Sequence, residues 1–265
     1  MPEPGEVRGV ALQAALAAGD ILRTNFGKVQ SIRFKGAVDL VTEIDERSEQ
    51  MVVEIVRARF PSHRILAEEG SAGGDDEDHR WIVDPLDGTT NYAHGLPFFC
   101  VSIAYEQRRQ ISVGAIYDPL RDEMFLAQRG RGVSLNGRRL AVSTTDALLS
   151  SLVATGFPYD RTRLPRAMRY FEALSTKSRA ARRLGSAALD AAYVAAGRLD
   201  AYWEAVVSPW DVAAGWLMVL EAGGRVSDLS GGPFTLEGGE ILATNGHIHQ
   251  AMLEALAEAD RRSGR

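Results

Sequence analysis

The stretch Trp81-Ile82-Val83-Asp84-Pro85-Leu86-Asp87-Gly88-Thr89-Thr90-Asn91 constrains this chain more than any other. Three large apolar residues before Asp84 read as a buried strand that presents a carboxylate at its carboxyl end. Pro85 fixes the turn that follows, and Asp87 comes within one sharp bend. Two carboxylates three residues apart, with the Leu86 carbonyl between them, offer the hard oxygen donors that magnesium takes in near-octahedral coordination. Gly88 permits close backbone approach, and the amides of Gly88, Thr89 and Thr90 can point at an anion if a helix starts there. Asp-Gly alone reads as a turn and the threonines as caps. The eight-residue run DPLDGTTN is more specific than that, and it predicts a metal and a phosphate meeting at one point.

Other acidic residues can converge on it. Glu68 and Glu69 follow the apolar Ile65-Leu66-Ala67, so a strand end can place one of them beside Asp84; taken alone, the pair reads as a solvated strand end. Asp45 precedes a helical pattern, and Asp211 precedes Val212-Ala213-Ala214-Gly215-Trp216-Leu217. Each fits an N-cap. A helix N-terminus also favours a bound phosphate, so cap and metal ligand are compatible roles.

The chain of 265 residues is long enough for one large domain or two tightly joined halves. Its 45% hydrophobic and 25% charged composition is that of a globular protein, and no apolar run is long enough to cross a bilayer. Residues 1–9 lack the basic and then apolar layout of a secretory signal, so a cytoplasmic location without membrane contact is expected. A net charge of -5 gives no general pull toward nucleic acid. The arginines within 161–169 and 179–183 read as solvated helix or loop surface. The single cysteine, Cys100, lies in an apolar run and reads as core.

Apolar spacing predicts a helix over 7–26 ended by Gly27, an extended segment at 39–42, and a helix from Asp45 to Phe60 stopped by Pro61. A Gly/Asp-rich loop is expected at 73–78. Strand candidates at 101–104, 113–117 and 123–127 suggest a meandering sheet. Beyond about residue 145, strands at 152–154 and 201–203 alternate with helices at 186–196 and 211–222, which argues for α/β layering in one compact unit.

The segment Asp39-Leu40-Val41-Thr42 to Asp45, the pair Glu68-Glu69, the run WIVDPLDGTTNY and the later WDVAAG at 210–215 resemble, in the same order, the signature segments of the inositol monophosphatase family. The match reaches to Gly231-Gly232-Pro233-Phe234. The resemblance implies a layered αβαβα fold, with residues 1–145 carrying most metal ligands and residues 146–265 adding Asp211 and substrate contacts. It implies that Glu68, Asp84, Asp87, Asp211 and the Leu86 carbonyl bind two or three magnesium ions per subunit. Asp45 and Thr89, with Glu68 and its metal, would activate the water; Gly88, Thr89 and Thr90 would hold the phosphate. Asp87, the Gly185-Ser186-Ala187 backbone, Glu204 and Asp211 would bind the polyol, and Lys35 would lie near the metals. A homodimer and lithium inhibition are implied as well. The chain departs from animal members at Ser208-Pro209, where they carry a histidine shortly before the Trp-Asp pair.

The expected reaction is hydrolysis of inositol monophosphate by a metal-activated water. Fructose 1,6-bisphosphate, histidinol phosphate and a nucleotide bisphosphate are the alternatives, for which Arg182 and Arg183 could serve a second phosphate. A non-catalytic binding or regulatory role is the reading from a different class, and loss of acidic ligands would be its mark. None of His63, His79, His94, His247 and His249 sits in a triad or zinc-ligand pattern. His247 and His249 read as a solvated loop or a weak surface metal pair. No Walker-type loop is present.

Overall fold

The structure is a computed structural model and describes residues 4–28, 32–34, 40–70 and 73–262. Helix α1 (Pro4–Asn25) ends just before Gly27, whose φ of 74° lies in the left-handed region that only glycine enters freely. A two-stranded antiparallel pair, β1 (Ile32–Phe34) and β2 (Leu40–Thr42), leads into helix α2 (Glu43–Arg59), which stops ahead of Pro61. Strands β3 (His63–Ala67) and β4 (Asp76–Asp87) follow, then the short helix α3 (Thr89–Ala93). Next come β5 (Cys100–Gln107), β6 (Gln110–Asp118), β7 (Glu123–Gln128), β8 (Gly132–Leu135) and β9 (Arg138–Arg139). They form a seven-stranded sheet in the order β3-β4-β5-β6-β7-β8-β9. Only the β3–β4 pair is parallel; the remaining strands meander, as their spacing predicts.

The rest of the chain runs β10 (Leu152–Thr155), α4 (Leu164–Lys177), β11 (Ala180–Arg182), α5 (Ala187–Ala195), β12 (Ala201–Glu204), α6 (Pro209–Glu221), β13 (Arg225–Ser227), β14 (Ile241–Thr244) and α7 (His249–Arg262). Its five strands are ordered β11-β10-β12-β14-β13. β10 is parallel to both neighbours, and β14 is antiparallel to both of its own.

Strand alternation sorts the core into three packed zones. Trp81 and Val83 face α1 and α2, packing with Ala14, Leu22, Val52 and Val56. Ile82, between them, points the other way and joins Ala188, Leu189, Val212 and Met218 of α5 and α6. Those helices also cover Ala154, Tyr202 and Ala243 of the second sheet. On that sheet's far face, Val153, Trp203 and Leu242 pack with Tyr170 and Leu174 of α4 and Met252 and Leu256 of α7. The result is the expected α/β architecture of five layers, αβαβα.

Close approach holds the middle layer. A Cβ on Gly114 of β6 would lie 3.0 Å from the Ala214 carbonyl oxygen of α6, and one on Gly215 would lie 2.5 Å from Ala191 Cβ of α5. The glycine that ends the WDVAAG motif is therefore a packing requirement.

The local expectations need three corrections. The segment expected as a loop at 73–78 already belongs to β4 from Asp76 onward, because its main chain pairs with β3 despite its polar side chains. Neither Asp45 nor Asp211 is an N-cap. Asp45 is the third residue of α2, and Asp211 is the third of α6, whose N-cap is Ser208 with Pro209 in the first turn. His249 is no loop residue. It is buried, with Nε2 3.0 Å from Ser227 Oγ and Nδ1 2.9 Å from Thr244 Oγ1. Burial, and secondarily Arg225, holds its pKa down to about 4.

Candidate active site

The geometry of the site begins with a bulge at the end of β4. Asp84 pairs with Ser102 and Asp87 with Cys100, so three steps along β4 match two along β5. In a regular strand, residues three apart point to opposite faces; the extra residue brings Asp84 and Asp87 to the same side. Pro85 sits where a missing N–H costs no ladder bond, and its carbonyl accepts from Ser48 Oγ of α2 at 2.8 Å. Leu86 buries its side chain against the α1–α2 core. Its N–H donates to Asp84 Oδ1 at 3.0 Å, and its carbonyl accepts from Thr89 Oγ1 at 3.0 Å.

Around this bulge lies a cavity of ≈ 110 Å³. Glu68, Asp84, Leu86, Asp87 and Asp211 line it together. Glu68 follows β3 directly and donates its N–H to the Val83 carbonyl at 3.2 Å. Glu69 does not line the cavity, and its N–H is held by Glu49 Oε2 at 2.9 Å. Asp211 accepts from Ser208 N–H at 2.7 Å, a bond that turns its carboxyl back toward the start of α6. Asp87 meets the N-terminus of α5: its Oδ2 accepts from Ser186 Oγ at 2.6 Å and from Ala188 N–H at 2.7 Å. A carboxylate in that position is favoured by the unpaired amides and the helix dipole.

Gly88, Thr89, Gly185, Ser186, Ala187 and Glu204 also face the cavity. Gly88 has φ 99°, and a Cβ there would lie 3.0 Å from the Phe98 carbonyl and 3.2 Å from the Gly185 carbonyl, so position and conformation both require glycine. Asn91 Nδ2 donates to the carbonyls of Phe98 and Leu184 at 2.8 Å each, which ties α3 to the segment leading into α5. Thr90 does not line the cavity; its Oγ1 lies 3.2 Å from the hydroxyl of Tyr159, which does. Asp45 is fully buried and joins the site through Thr89, whose Oγ1 lies 3.2 Å from Asp45 Oδ1. That hydroxyl has one proton, which can serve either Asp45 or the Leu86 carbonyl, and its oxygen can still accept a hydrogen bond. Lys35 and Asp39 lie outside the described residues. Cys100 is buried as expected, with Sγ 3.6 Å from Ser186 Oγ.

Five lining residues had no place in the sequence-derived site: Gly156, Phe157, Tyr159, Asp190 and, as a lining group, Arg183. The first three follow the carboxyl end of β10, which runs parallel to β12, and Glu204 ends β12. Ligands gather at the carboxyl ends of parallel strands, so the strand candidate at 152–154 carried that signal. Asp190 was visible only as an acid inside an alanine-rich helical run. Arg182 does not line the cavity and donates to the Ala181 carbonyl.

The electrostatics of the pocket call for a cation. Burial pushes Asp84 well above the usual carboxylate range, and Glu68, Asp87 and Asp211 add to the shift. Asp211 is raised well above that range by burial and then by Asp87, against the opposing bond from Ser208. Burial raises Asp87, while Ser186 and Ala188 counter it. Crowded carboxyls in an enclosed site resist being charged together, and a hard divalent cation relieves that cost. Four carboxyls and a main-chain carbonyl fit magnesium.

A second group of possible ligands, His63, Asp76 and His79, stands at the opposite end of β3 and β4. It does not suit a metal. The Trp81 indole N–H, a donor only, points at His63 Nδ1 at 3.1 Å, and burial followed by His79 lowers the ring's pKa. The proton of His63 therefore sits on Nε2, where a metal would need a lone pair.

Comparison with known proteins agrees with this geometry. The model of the inositol monophosphatase family matches residues 3–263. An inositol-1-monophosphatase of Synechocystis is 49% identical over 94% of this chain and 88% of its own length. A Nus factor SuhB of Pseudomonas aeruginosa is 44% identical over 93% of this chain and 94% of its own. Among solved structures, the extragenic suppressor protein suhB of Bartonella henselae superposes with a TM-score of 0.91 at 42% identity, covering 94% of this chain and 98% of that one. The inositol monophosphatase of Anabaena gives 0.87 at 45% identity, with 95% of each chain covered. The chain belongs to the inositol monophosphatase family and is a phosphoric monoester hydrolase.

Proposed function

We propose that the enzyme hydrolyses inositol monophosphate to inositol and phosphate in a magnesium-dependent reaction. The observation that carries this reading is the convergence of Glu68, Asp84, Asp87, Asp211 and Leu86 on a cavity that also holds Gly88, Thr89 and Glu204. Magnesium, when bound, supplies Lewis acidity to the phosphoryl oxygens and lowers the pKa of a water. The chain's own groups do the rest. Thr89, whose single hydroxyl proton lies within reach of both Asp45 and the Leu86 carbonyl, accepts a hydrogen bond from the attacking water and orients it; with that proton turned to Asp45, Asp45 is the buried carboxylate toward which the proton is relayed. The amides of Gly88, Thr89 and Thr90, at the start of α3, hold the phosphoryl group. Asp87, Asp211, Glu204 and the 185–187 backbone position the polyol, so the reacting atoms are held in line. The site lies against both sheets, which supports treating residues 1–145 and 146–265 as halves of one unit.

The same reading includes two or three magnesium ions per subunit, lithium inhibition, a homodimer and a cytoplasmic location. No helix among the described residues is long and apolar enough to cross a membrane. Likeness to a relative named a Nus factor supports a second, non-catalytic role on the same fold. A pull-down with Asp84→Asn, which removes turnover but not the surface, tests it; recovery of no partner would dismiss it.

The deciding assay is phosphate release from inositol 1-phosphate with and without magnesium, beside fructose 1,6-bisphosphate and 3'-phosphoadenosine 5'-phosphate. Wild type and Asp87→Asn are compared. Magnesium-dependent turnover that prefers inositol 1-phosphate and falls by about 10²-fold or more in the variant is expected. Preference for another ester would move the substrate, and no turnover of any ester by folded, magnesium-loaded protein would refute the reading.

A further inference from the structure

One carboxyl in the cavity wall has no part in the reaction as derived above. Asp190 lies on α5, one turn beyond Ser186, and its N–H donates to the Ser186 carbonyl at 3.0 Å. Ala187 and Asp190 are three residues apart, so they share the helix face turned to the cavity, and both line it. Asp190 is only 1% exposed, and its Oδ1 has no hydrogen-bond partner within the protein.

Packing does not call for an acid here. Ala188, Leu189, Ala191 and Ala192 around it are buried and apolar, and alanine would suit the helix better. A buried polar atom without a partner is costly and calls for an explanation. The acid in the wall that bears most strongly on it is Glu204, whose Oε2 accepts from the Tyr202 hydroxyl at 2.7 Å. Arg183 also lines the cavity, and its charge favours the charged forms of both carboxyls, against burial, which raises each.

We infer that Asp190 is a specificity-determining residue: its buried carboxyl, turned to the cavity beside Glu204, forms a hydrogen bond with a hydroxyl of the substrate's leaving group. A hydroxyl suits this position in either protonation state, because it donates to a carboxylate and accepts from a carboxylic acid. A second phosphate would pair only with the protonated acid, and an ammonium group only with the carboxylate. The leaving group selected is therefore one that carries a free hydroxyl besides the ester oxygen. This inference rests on the phosphatase reading and adds to it the residue that reads the polyol.

The test compares kcat/KM for inositol 1-phosphate with kcat/KM for phenyl phosphate, whose leaving group has no further hydroxyl, in magnesium-loaded wild type, Asp190→Ala and Asp190→Asn. The ratio of the two is expected to fall at least about tenfold in Asp190→Ala, chiefly through KM for the polyol ester. In Asp190→Asn, which keeps one acceptor oxygen, it is expected to fall at least about threefold but less than in the alanine variant. Thermal melts accompany the kinetics: losing an unpartnered buried carboxyl should leave the alanine variant at least as stable as wild type, whereas a structural role would lower its melting temperature. Ratios within twofold of wild type in the folded variants would overturn the inference and leave the phosphatase reading standing; the asparagine variant decides alone if the alanine variant does not fold. If wild type cleaves neither ester, both readings fall.

Discussion

Gly156 offers a way to displace Glu204 without touching it. A Cβ on Gly156 would lie 2.1 Å from Glu204 Oε2 and 2.4 Å from its Cδ and Oε1. Those atoms end a flexible side chain, so Gly156→Ala should fold, with the carboxyl pushed back by about 1 Å or more to reach van der Waals distance. The Tyr202 bond to Glu204, 2.7 Å long, would then be lost or badly bent. A hydrogen bond to a charged group is worth about 1.5–3 kcal/mol, and alanine returns about 0.4–1 kcal/mol through the unfolded chain. The net loss of about 1–2 kcal/mol should lower Tm by several degrees in a protein of this size. The effect on catalysis should be larger, because a misplacement of about 1 Å in a positioning group costs up to about 10²-fold. The expected result is a ten- to hundredfold lower kcat/KM on inositol 1-phosphate, roughly 1.4–2.8 kcal/mol, measured by phosphate release. If Glu204 is the route, Gly156→Ala should add little in a Glu204→Ala background. Full activity in the single variant, or losses that simply add in the double variant, would refute the reasoning.

Gly215→Ala should lower Tm by the equivalent of about 1–3 kcal/mol, because the clash is between two backbone-fixed Cβ atoms 2.5 Å apart and α5 must move from α6. Since these helices carry Ser186 and Asp211, the magnesium concentration needed to raise Tm should increase too; an unchanged magnesium titration would separate packing from the site. Glu204 gives a pH prediction for magnesium-free protein. Burial raises it from 4.5 to about 7, with Tyr202 opposing and Asp87 adding. Its folded pKa is above the unfolded one, so its contribution to stability is full below about pH 4.5 and is lost as pH rises to about 7. The loss is worth roughly 3 kcal/mol. Glu204→Gln should flatten the fall of Tm across that window, and parallel curves for the two proteins would contradict the assignment.

What was legible in the sequence was local. Trp81-Ile82-Val83 announced a buried strand, and the carboxylates beyond it announced a candidate site, because strand, turn and carboxylates are contiguous. The bulge was not legible, although it is what makes Asp84 and Asp87 neighbours; it depends on the pairing with β5, where Cys100, the partner of Asp87, lies thirteen residues further along the chain, beyond α3. Short strands such as β9 (Arg138–Arg139) and β11 (Ala180–Arg182) carry no apolar alternation and exist through their partners. Helix starts shifted for a related reason: Asp45 and Asp211 have the chemistry of caps, yet each lies within the first turn, where the same dipole favours a carboxylate. His249 looked like a loop residue because the hydroxyls that bury it, Ser227 and Thr244, come from two other strands.

The placement of the cavity explains why its carboxyls stay crowded. Asp84 and Asp87 come from the first sheet, Glu204 from the second, and Asp190 and Asp211 from the two helices packed between them. None can move far from the others without opening a layer: Gly114 sits against Ala214 and Gly215 against Ala191 at distances that leave no slack. A single strand or loop bearing these acids would spread them into solvent, where each could ionise independently. Here the apolar packing of α5 and α6 holds them together against their mutual repulsion. The layers therefore store an unfavourable interaction that a bound cation would relieve, and on the proposed function the same helices that stabilise the fold would set how strongly that cation is held. Loosening α5 against α6 should for that reason weaken magnesium binding before it unfolds the protein.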